Sequence, residues 1–259
     1  MADLSSRNPL ERFTGLADNY ARHRPDYPAT AIDYVMEHCR LRPDSILVDI
    51  GSGTGISSRQ FAARGLHVVG IEPNADMRRQ AEAQSAGNGS IDYRAGRAEA
   101  TGLADGSADA VLTAQAFHWF DAPAALREFH RVLRPEGWVI VLGNERDESD
   151  PATTAYGEIV GGGRDAAAIE RPRRVAAQVL HQALLFTQAE QHLFEHVQWL
   201  DEDGLVGRAF SASYAPREPE AAKHYEAALR QVFARFQQDG RFRLKYITSV
   251  DSARKLQSP

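Results

Sequence analysis

The stretch Ile46 to Ile56, ILVDIGSGTGI, constrains this chain more than any other. An apolar run, Ile46-Leu47-Val48, leads into Asp49, and glycines then alternate at Gly51, Gly53 and Gly55. A continuous apolar run is what a strand buried on both faces needs. Glycines directly after it let the backbone turn sharply and come close to a ligand. The G-x-G-x-G spacing is not the dinucleotide pattern G-x-G-x-x-G, whose last glycine falls one residue later. It points to a nucleoside-bearing ligand at a strand end, with no diphosphate to seat.

Composition narrows the partners. At 259 residues the chain is one large domain, or one domain with an insertion. The apolar share of 43% and charged share of 25% are those of a globular protein. A net charge of −5 offers no bulk attraction to nucleic acid or to an anionic membrane, so the expected partner is a small molecule, for a monomer or homodimer. The single cysteine, Cys39, excludes an internal disulfide framework and fits a reducing compartment. It falls in a predicted helix, which makes it a buried structural thiol. No apolar segment approaches the ~20 residues that span a bilayer, and MADLSSRNPLERF carries no apolar leader core. A cytoplasmic location is therefore expected, and Asn88-Gly89-Ser90 is expected to be a turn and not a glycosylation site.

In chain order, residues 1–28 are expected to be an arm, with Tyr20, Arg22, His23, Arg24 and Tyr27 set between a glycine and two prolines. The arm is either a plain surface extension or a flap whose Tyr and Arg close over a small molecule. Ile32, Val35, Met36 and Cys39 mark an amphipathic helix over 29–41. Strand 46–50, the glycine loop, a helix over 57–64 ended by Gly65, and strand 67–71 follow. A helix over 74–86 and strands at 91–94, 110–113 and 138–142 come next, with a helix over 123–133 and a tight turn at Arg134-Pro135-Glu136-Gly137. Strand and helix alternate through five strands, the pattern of an open parallel α/β sheet that binds ligands at its carboxyl edge.

From Gly143 the character changes. Tyr156 to Leu185 is predicted helical, interrupted by Gly161-Gly162-Gly163 and by Pro172. A strand near 192–200, a loop through GRAFSASYAPREP, a helix over 218–238 and a closing strand RLKYITSV follow. The two late strands imply an antiparallel end to the sheet. The expected organisation is an arm or flap at 1–28, a cofactor-binding core at 29–145, a helical insertion serving as substrate lid at 146–190, and sheet-completing elements at 191–259.

Glu72 is the second strong feature. It stands 21 residues after Gly51, at the tip of the next strand of a β-α-β unit. There an acidic side chain can accept hydrogen bonds from both hydroxyls of a ribose; as a bland alternative it caps the helix after Pro73-Asn74.

Five blocks now stand in order: VDIGSGTG (48–55), VVGIEPNADM (68–77), GRAEATGLADGSADAV (96–111), QAFHWFD (115–121) and LREFHRVLRPEGWVIV (126–141). In these the chain resembles the class I S-adenosylmethionine-dependent methyltransferases, more narrowly the small-molecule group that includes the trans-aconitate and menaquinone/ubiquinone-biosynthesis enzymes. The resemblance covers roughly the first 145 residues well and the last third loosely. It implies a Rossmann-like α/β fold: a seven-stranded, mostly parallel sheet with helices on both faces and a helical insertion over the active site. It also implies methyl transfer from S-adenosyl-L-methionine, leaving S-adenosyl-L-homocysteine. Asp49, Gly51, Gly53, Thr54 and Gly55 would cradle the methionine part, and Glu72 the ribose, with Pro73, Asn74 and Met77 beside ribose and adenine. Ala98 and Glu99 would meet the adenine edge, although Arg97 stands where an acidic residue is common and Leu103-Ala104 replaces the usual Leu-Pro. Tyr20 and Arg24 would lie near the cofactor's carboxylate, while Gln115 and His118 pass the sulfonium.

Methyl transfer from a sulfonium needs a base only if the acceptor is a hydroxyl or a carbon acid. His118 is the candidate base; alternatively it and Trp119 only shape the loop and orient the acceptor. Tyr156, Phe186, Phe194, Trp199, Phe210 and Tyr214 are candidate acceptor-pocket aromatics. His192-Leu193-Phe194-Glu195-His196 matches H-x-x-E-H, a zinc-peptidase motif only on a helix; as a strand it would put both imidazoles and Phe194 on one side and Glu195 on the other. Arg164, Arg171, Arg173 and Arg174 form a candidate anion or RNA patch, or a solvated helix face, and the negative net charge weighs against RNA. A nicotinamide-dependent dehydrogenase and a non-catalytic cofactor-binding scaffold are the competing functions.

Overall fold

A computed structural model describes residues 17–161 and 178–257. The apolar runs of the first half become β1 (Ile46–Ile50) and β2 (His67–Ile71), and the mixed stretch IDYR becomes the edge strand β3 (Ile91–Arg94), as expected. β4 (Ala108–Ala114) and β5 (Leu133–Arg146) continue them. The sheet has seven strands in the order β3-β2-β1-β4-β5-β7-β6, the last two being Phe242–Lys255 and Phe186–Leu200. β1 to β5 pair in parallel, and β7 runs antiparallel to both β5 and β6. The predicted antiparallel end is therefore present.

Helices cover both faces because each carries one apolar stripe. α2 (Ala29–His38) and α3 (Ile56–Ala62) lay Ile32, Val35 and Phe61 against Leu47, Val68 and Leu112. α5 (Ala122–Val132) lays Ala125, Leu126, Phe129 and Val132, at helical spacing, against Val48, Val111 and Val139 on the other face. Asn74 caps α4 (Ala75–Gln84) by accepting from the backbone N–H groups of Asp76 and Met77 at 2.9 and 3.1 Å.

Several expectations need correction. The described part of the arm is folded: Ala17–His23 is a helix, α1. Asn19 donates to the Gly207 carbonyl at 3.2 Å and Arg24 to the Ser211 carbonyl at 3.1 Å, tying the arm to a distant part of the chain. The segment read as a loop after residue 200 is in part a helix, α8 (Glu202–Phe210), capped by Asp201. Its glycines oppose helix propensity, but a Cβ on Gly207 would stand 2.5 Å from His23 Nε2, so close approach of α1 requires a bare backbone there. The turn at 134–137 is a bulge inside β5: Ala108 pairs with Leu133 and Ala110 already with Trp138. Among the described residues, the stretch expected to be a helical insertion holds α6 (Pro151–Gly161) and α7 (Gln178–His181), and β6 begins at Phe186. Gly162, Gly163, Pro172 and the arginines at 164, 171, 173 and 174 lie outside the described residues. The long helix, α9, spans Pro219–Phe236.

The H-x-x-E-H segment lies in β6, where period two places His192, Phe194 and His196 towards α2 and the arm: Tyr34 Oη meets His192 Nδ1 at 2.7 Å, and His196 lies 3.4 Å from Asp26. Glu195 faces the other way, so the helical metal motif is not formed. No described helix is long and apolar enough to cross a membrane.

Beyond the carboxyl edge of the parallel strands, α6, α8 and α9 pack with the ends of β6 and β7 around Tyr156, Leu205, Leu229, Phe242 and Tyr246. This third core roofs the crevice between β1 and β4, where the strand order reverses.

Candidate active site

The glycine loop leaves β1 at that reversal point. Gly51 (φ +71°) donates its backbone N–H to the Ile71 carbonyl at 2.8 Å, and a Cβ there would sit 2.6 Å from the Ala116 Cβ. Only glycine fits that approach between the β1 loop and the segment after β4. Gly53 (φ +55°) is the opposite case, because a Cβ would meet nothing within 4 Å and would project into open space.

Glu72 ties the loop to β2. Its carboxylate accepts from the Gly53 N–H at 2.9 Å through one oxygen and from the Asn74 N–H at 2.8 Å through the other. The group is 7% exposed, and burial pushes its pKa up against the opposing pull of those two N–H donors. Asp49 lies directly beneath the loop and is fully buried. Ser57 and Ser58 hydroxyls donate to its Oδ2 at 2.7 and 2.6 Å, whereas its Oδ1 has no partner among the described residues. Burial pushes its pKa up too, ahead of the serine hydrogen bonds that oppose it. The hydroxyls of Ser52 and Thr54 are likewise buried without a partner.

Above them, Gly51, Ser52, Gly53 and Thr54 floor a cleft of about 510 Å3, counted with its open mouth. It is lined by Tyr20, Arg24 and Tyr27 of the arm, by the loop from Gly51 to Thr54, by Gln115, and by Asn144 and Arg208. Asn144 braces the wall: its side chain accepts from Thr248 at 2.6 Å and donates to the Asp26 carbonyl at 2.9 Å, while Gln115 donates to the backbone carbonyl of Asn144 at 2.8 Å.

Of the expected site residues, Tyr20, Arg24, Gly51, Gly53, Thr54 and Gln115 line this cleft. Asp49, Gly55 and Glu72 support its floor, with Pro73, Asn74 and Met77 continuing from Glu72 into α4. Ala98 is buried in the core beside Ile71 and Phe117, and Glu99 accepts from the Asp121 N–H at 3.0 Å and pairs with Arg97. His118 is outside the lining; it sits in a 3-10 turn, Phe117–Trp119, with its ring 4.9 Å from that of Trp119. The acceptor-pocket aromatics divide. Tyr156, Phe210 and Tyr214 belong to the roof. Phe186 packs on His130, Phe194 on Tyr34, and Trp199 is 47% exposed, so the length of β6 carries these three away from the cleft. Ser52 was legible beside the glycines; Asn144 and Arg208 belong to no motif, and only the fold brings them to the cleft.

The sequence model of a methyltransferase domain matches residues 48–141. An uncharacterized methyltransferase of Mycobacterium tuberculosis is 32% identical over 219 residues, 83% of this chain and 82% of its own length. An uncharacterized methyltransferase-like protein of Schizosaccharomyces pombe is 33% identical over 159 residues, 61% of each chain. Among solved structures, a protein of Anaeromyxobacter dehalogenans described provisionally as a type II methyltransferase aligns with a TM-score of 0.66 at 21% identity, covering 91% of this chain and 99% of that one. The chain belongs to the methyltransferase family, and its fold is that of the class I S-adenosylmethionine-dependent methyltransferases.

Proposed function

We propose that the protein transfers a methyl group from S-adenosylmethionine to a small-molecule acceptor by in-line displacement. The observation that carries this is the junction of β1 and β2, where Gly53 faces open space, donates to Glu72 and stands over the half-satisfied Asp49. Bound there, S-adenosylmethionine supplies an electrophilic methyl on a sulfonium. Each Glu72 oxygen keeps a lone pair beyond the one its backbone donor uses, which suits the two hydroxyls of a ribose. The free Asp49 Oδ1 and the Ser52 and Thr54 hydroxyls suit an ammonium and its neighbouring polar atoms. Pro73, Asn74 and Met77 flank the ribose and adenine in this assignment, Ala98 and Glu99 the adenine edge, and Arg24 with Tyr20 the carboxylate. What remains for the chain is to hold the acceptor lone pair at near-attack distance and to exclude water, the role assigned to Gln115 and the arm.

His118 is assigned an orienting role, since its ring rests beside Trp119 and outside the cleft lining. His118→Ala is expected to lower kcat by less than about tenfold with cofactor affinity unchanged; a fall of roughly 10²–10⁴ would instead make it a general base.

Acidity should separate stability from binding. Burial raises the pKa of both Asp49 and Glu72 in the folded chain. Their contribution to stability is thus fully present below the unfolded values, about 3.9 and 4.3, and is lost as pH rises through the higher folded values. A ligand presenting an ammonium and two hydroxyls needs both groups ionised. S-adenosylhomocysteine affinity is therefore expected to fall on acidification, beginning above the ordinary carboxylate range of about 4, whereas ligand-free stability gains from these two groups over the same window. Calorimetric titration at stepped pH reads the first and thermal melting the second. Affinity independent of pH down to about 4 would contradict the assignment.

The activity itself is tested by incubation with methyl-labelled S-adenosylmethionine and a panel of small carboxylates, phenols and amines. Label appearing in an acceptor supports the proposal. Tight cofactor binding with no transfer to any of them would favour the scaffold alternative.

A further inference from the structure

The roof of the cleft holds a polar group that packing does not explain. Arg208 of α8 is 6% exposed and lines the cleft. Its Nε donates to Tyr246 Oη at 3.1 Å, and a terminal nitrogen reaches Ser211 Oγ at 3.4 Å. No carboxylate among the described residues lies within ion-pair distance of it, although Arg131, Arg230 and Arg243 all have one. Tyr156 from α6 and Tyr225 from α9 face the same region, each with a buried hydroxyl that has no partner among the described residues. Burial raises both phenol pKa values, so the two hydroxyls are neutral donors near pH 7. Arg146, opposite Tyr246 across the β5–β7 ladder, adds a second positive charge nearby.

A buried guanidinium with no counter-charge among the described residues, next to two hydroxyls with no partner among them, is a costly arrangement for a core. An apolar side chain of similar volume would serve packing better. The arrangement makes sense if a ligand brings the missing oxygen atoms: a guanidinium fork and phenolic hydroxyls match an oxyanion.

We propose that this chamber recognises the methyl acceptor, and that the acceptor is a small molecule with a carboxylate or phosphate group held by Arg208, Tyr156 and Tyr225. The assignment rests on the methyl-transfer reading, because Arg208 lines the same cleft as the glycine loop, with Tyr156 and Tyr225 in the roof behind it. Ser211 divides the two functions: Arg24 donates to its carbonyl from the arm side, and Arg208 reaches its hydroxyl from α8. Arg24 then serves the cofactor's carboxylate and Arg208 the acceptor's oxyanion.

The test is a calorimetric and thermal-shift titration of the full chain saturated with S-adenosylhomocysteine. Succinate and citrate probe carboxylates, inorganic phosphate and glycerol 3-phosphate probe phosphates, and acetamide and glycerol are neutral controls. At least one oxyanion series is expected to bind and raise the melting temperature, with the controls silent; which series does so distinguishes the two chemistries. Arg208→Gln is expected to weaken that binding at least about tenfold. Tyr156→Phe and Tyr225→Phe, which remove only a hydroxyl, are expected to weaken it by roughly two- to tenfold and keep the test informative if the arginine variant does not fold. S-adenosylhomocysteine affinity should stay within about twofold of wild type throughout. The proposal is overturned if no oxyanion binds wild type, if binding survives all three substitutions, or if Arg208→Gln loses S-adenosylhomocysteine instead. Failure of wild type to bind S-adenosylhomocysteine would remove the cofactor assignment alone, and the same oxyanion titrations on the ligand-free chain would still decide the chamber.

Discussion

Glu72→Ala is expected to weaken binding of S-adenosylmethionine and S-adenosylhomocysteine by roughly 100-fold or more while leaving the chain folded. Hydrogen bonds to a charged group contribute about 1.5–3 kcal/mol each, and two ribose hydroxyls would lose theirs together. The substitution also frees the Gly53 and Asn74 N–H groups, which fix the loop against β2. Gly53 borders the cleft, so water can satisfy its N–H, and the stability loss should stay near 1–2 kcal/mol. Glu72→Gln, which keeps one acceptor, should fall between alanine and wild type. Calorimetry reads the affinity and circular dichroism the melting. Unchanged affinity in the alanine variant would mean that Glu72 is only a structural clamp.

Two neighbouring glycines should respond in opposite ways. Gly51→Ala places a Cβ 2.6 Å from Ala116 and imposes a positive φ on an L residue. Left-handed backbone costs roughly 1–2 kcal/mol and overpacking about 1–3 kcal/mol, so a loss of roughly 2–5 kcal/mol in stability is expected. Gly53→Ala carries only the backbone strain, since its Cβ meets nothing, and should melt within a few degrees of wild type. Its added methyl nevertheless occupies space assigned to the cofactor, and affinity should fall by roughly tenfold or more. Equal effects of the two substitutions on melting would contradict the described loop geometry. An unaffected affinity in Gly53→Ala would place the cofactor elsewhere.

The core of this fold could be read in the chain because β1 is buried on both faces and β2 largely so. ILVDI and HVVGI, and the shorter edge strand IDYR, place β1, β2 and β3 to the residue. Asp49 and Glu72 were legible for the same reason: each sits at the end of an apolar run, beside residues that force a turn. The elements that escaped are those whose reason for existing lies elsewhere in the chain. α8 carries two glycines that oppose a helix, and Gly207 makes sense only once His23 lies against it. α1 docks through Asn19 onto Gly207 of that same distant helix, and Arg24, just after α1, reaches the Ser211 carbonyl beyond its end. Phe186, Phe194 and Trp199 looked like pocket residues by composition, and a long edge strand carries them away. Arg208 gave no local sign of function, because it falls in a Ser-, Gly- and Pro-rich stretch that reads as a loop; its burial beside Tyr246 is a tertiary fact. Local pattern thus described the β1–β2 side of the cleft, while long-range packing builds its roof.

The central claim is that the loop after β1, together with Glu72, holds S-adenosylmethionine. The most direct measurement is a calorimetric titration of the full chain with S-adenosylhomocysteine and, in parallel, with NAD. The expected result is one-to-one binding of S-adenosylhomocysteine, abolished or strongly weakened by Glu72→Ala, with no heat from NAD. Binding of NAD in preference, or S-adenosylhomocysteine binding that ignores Glu72, would contradict it.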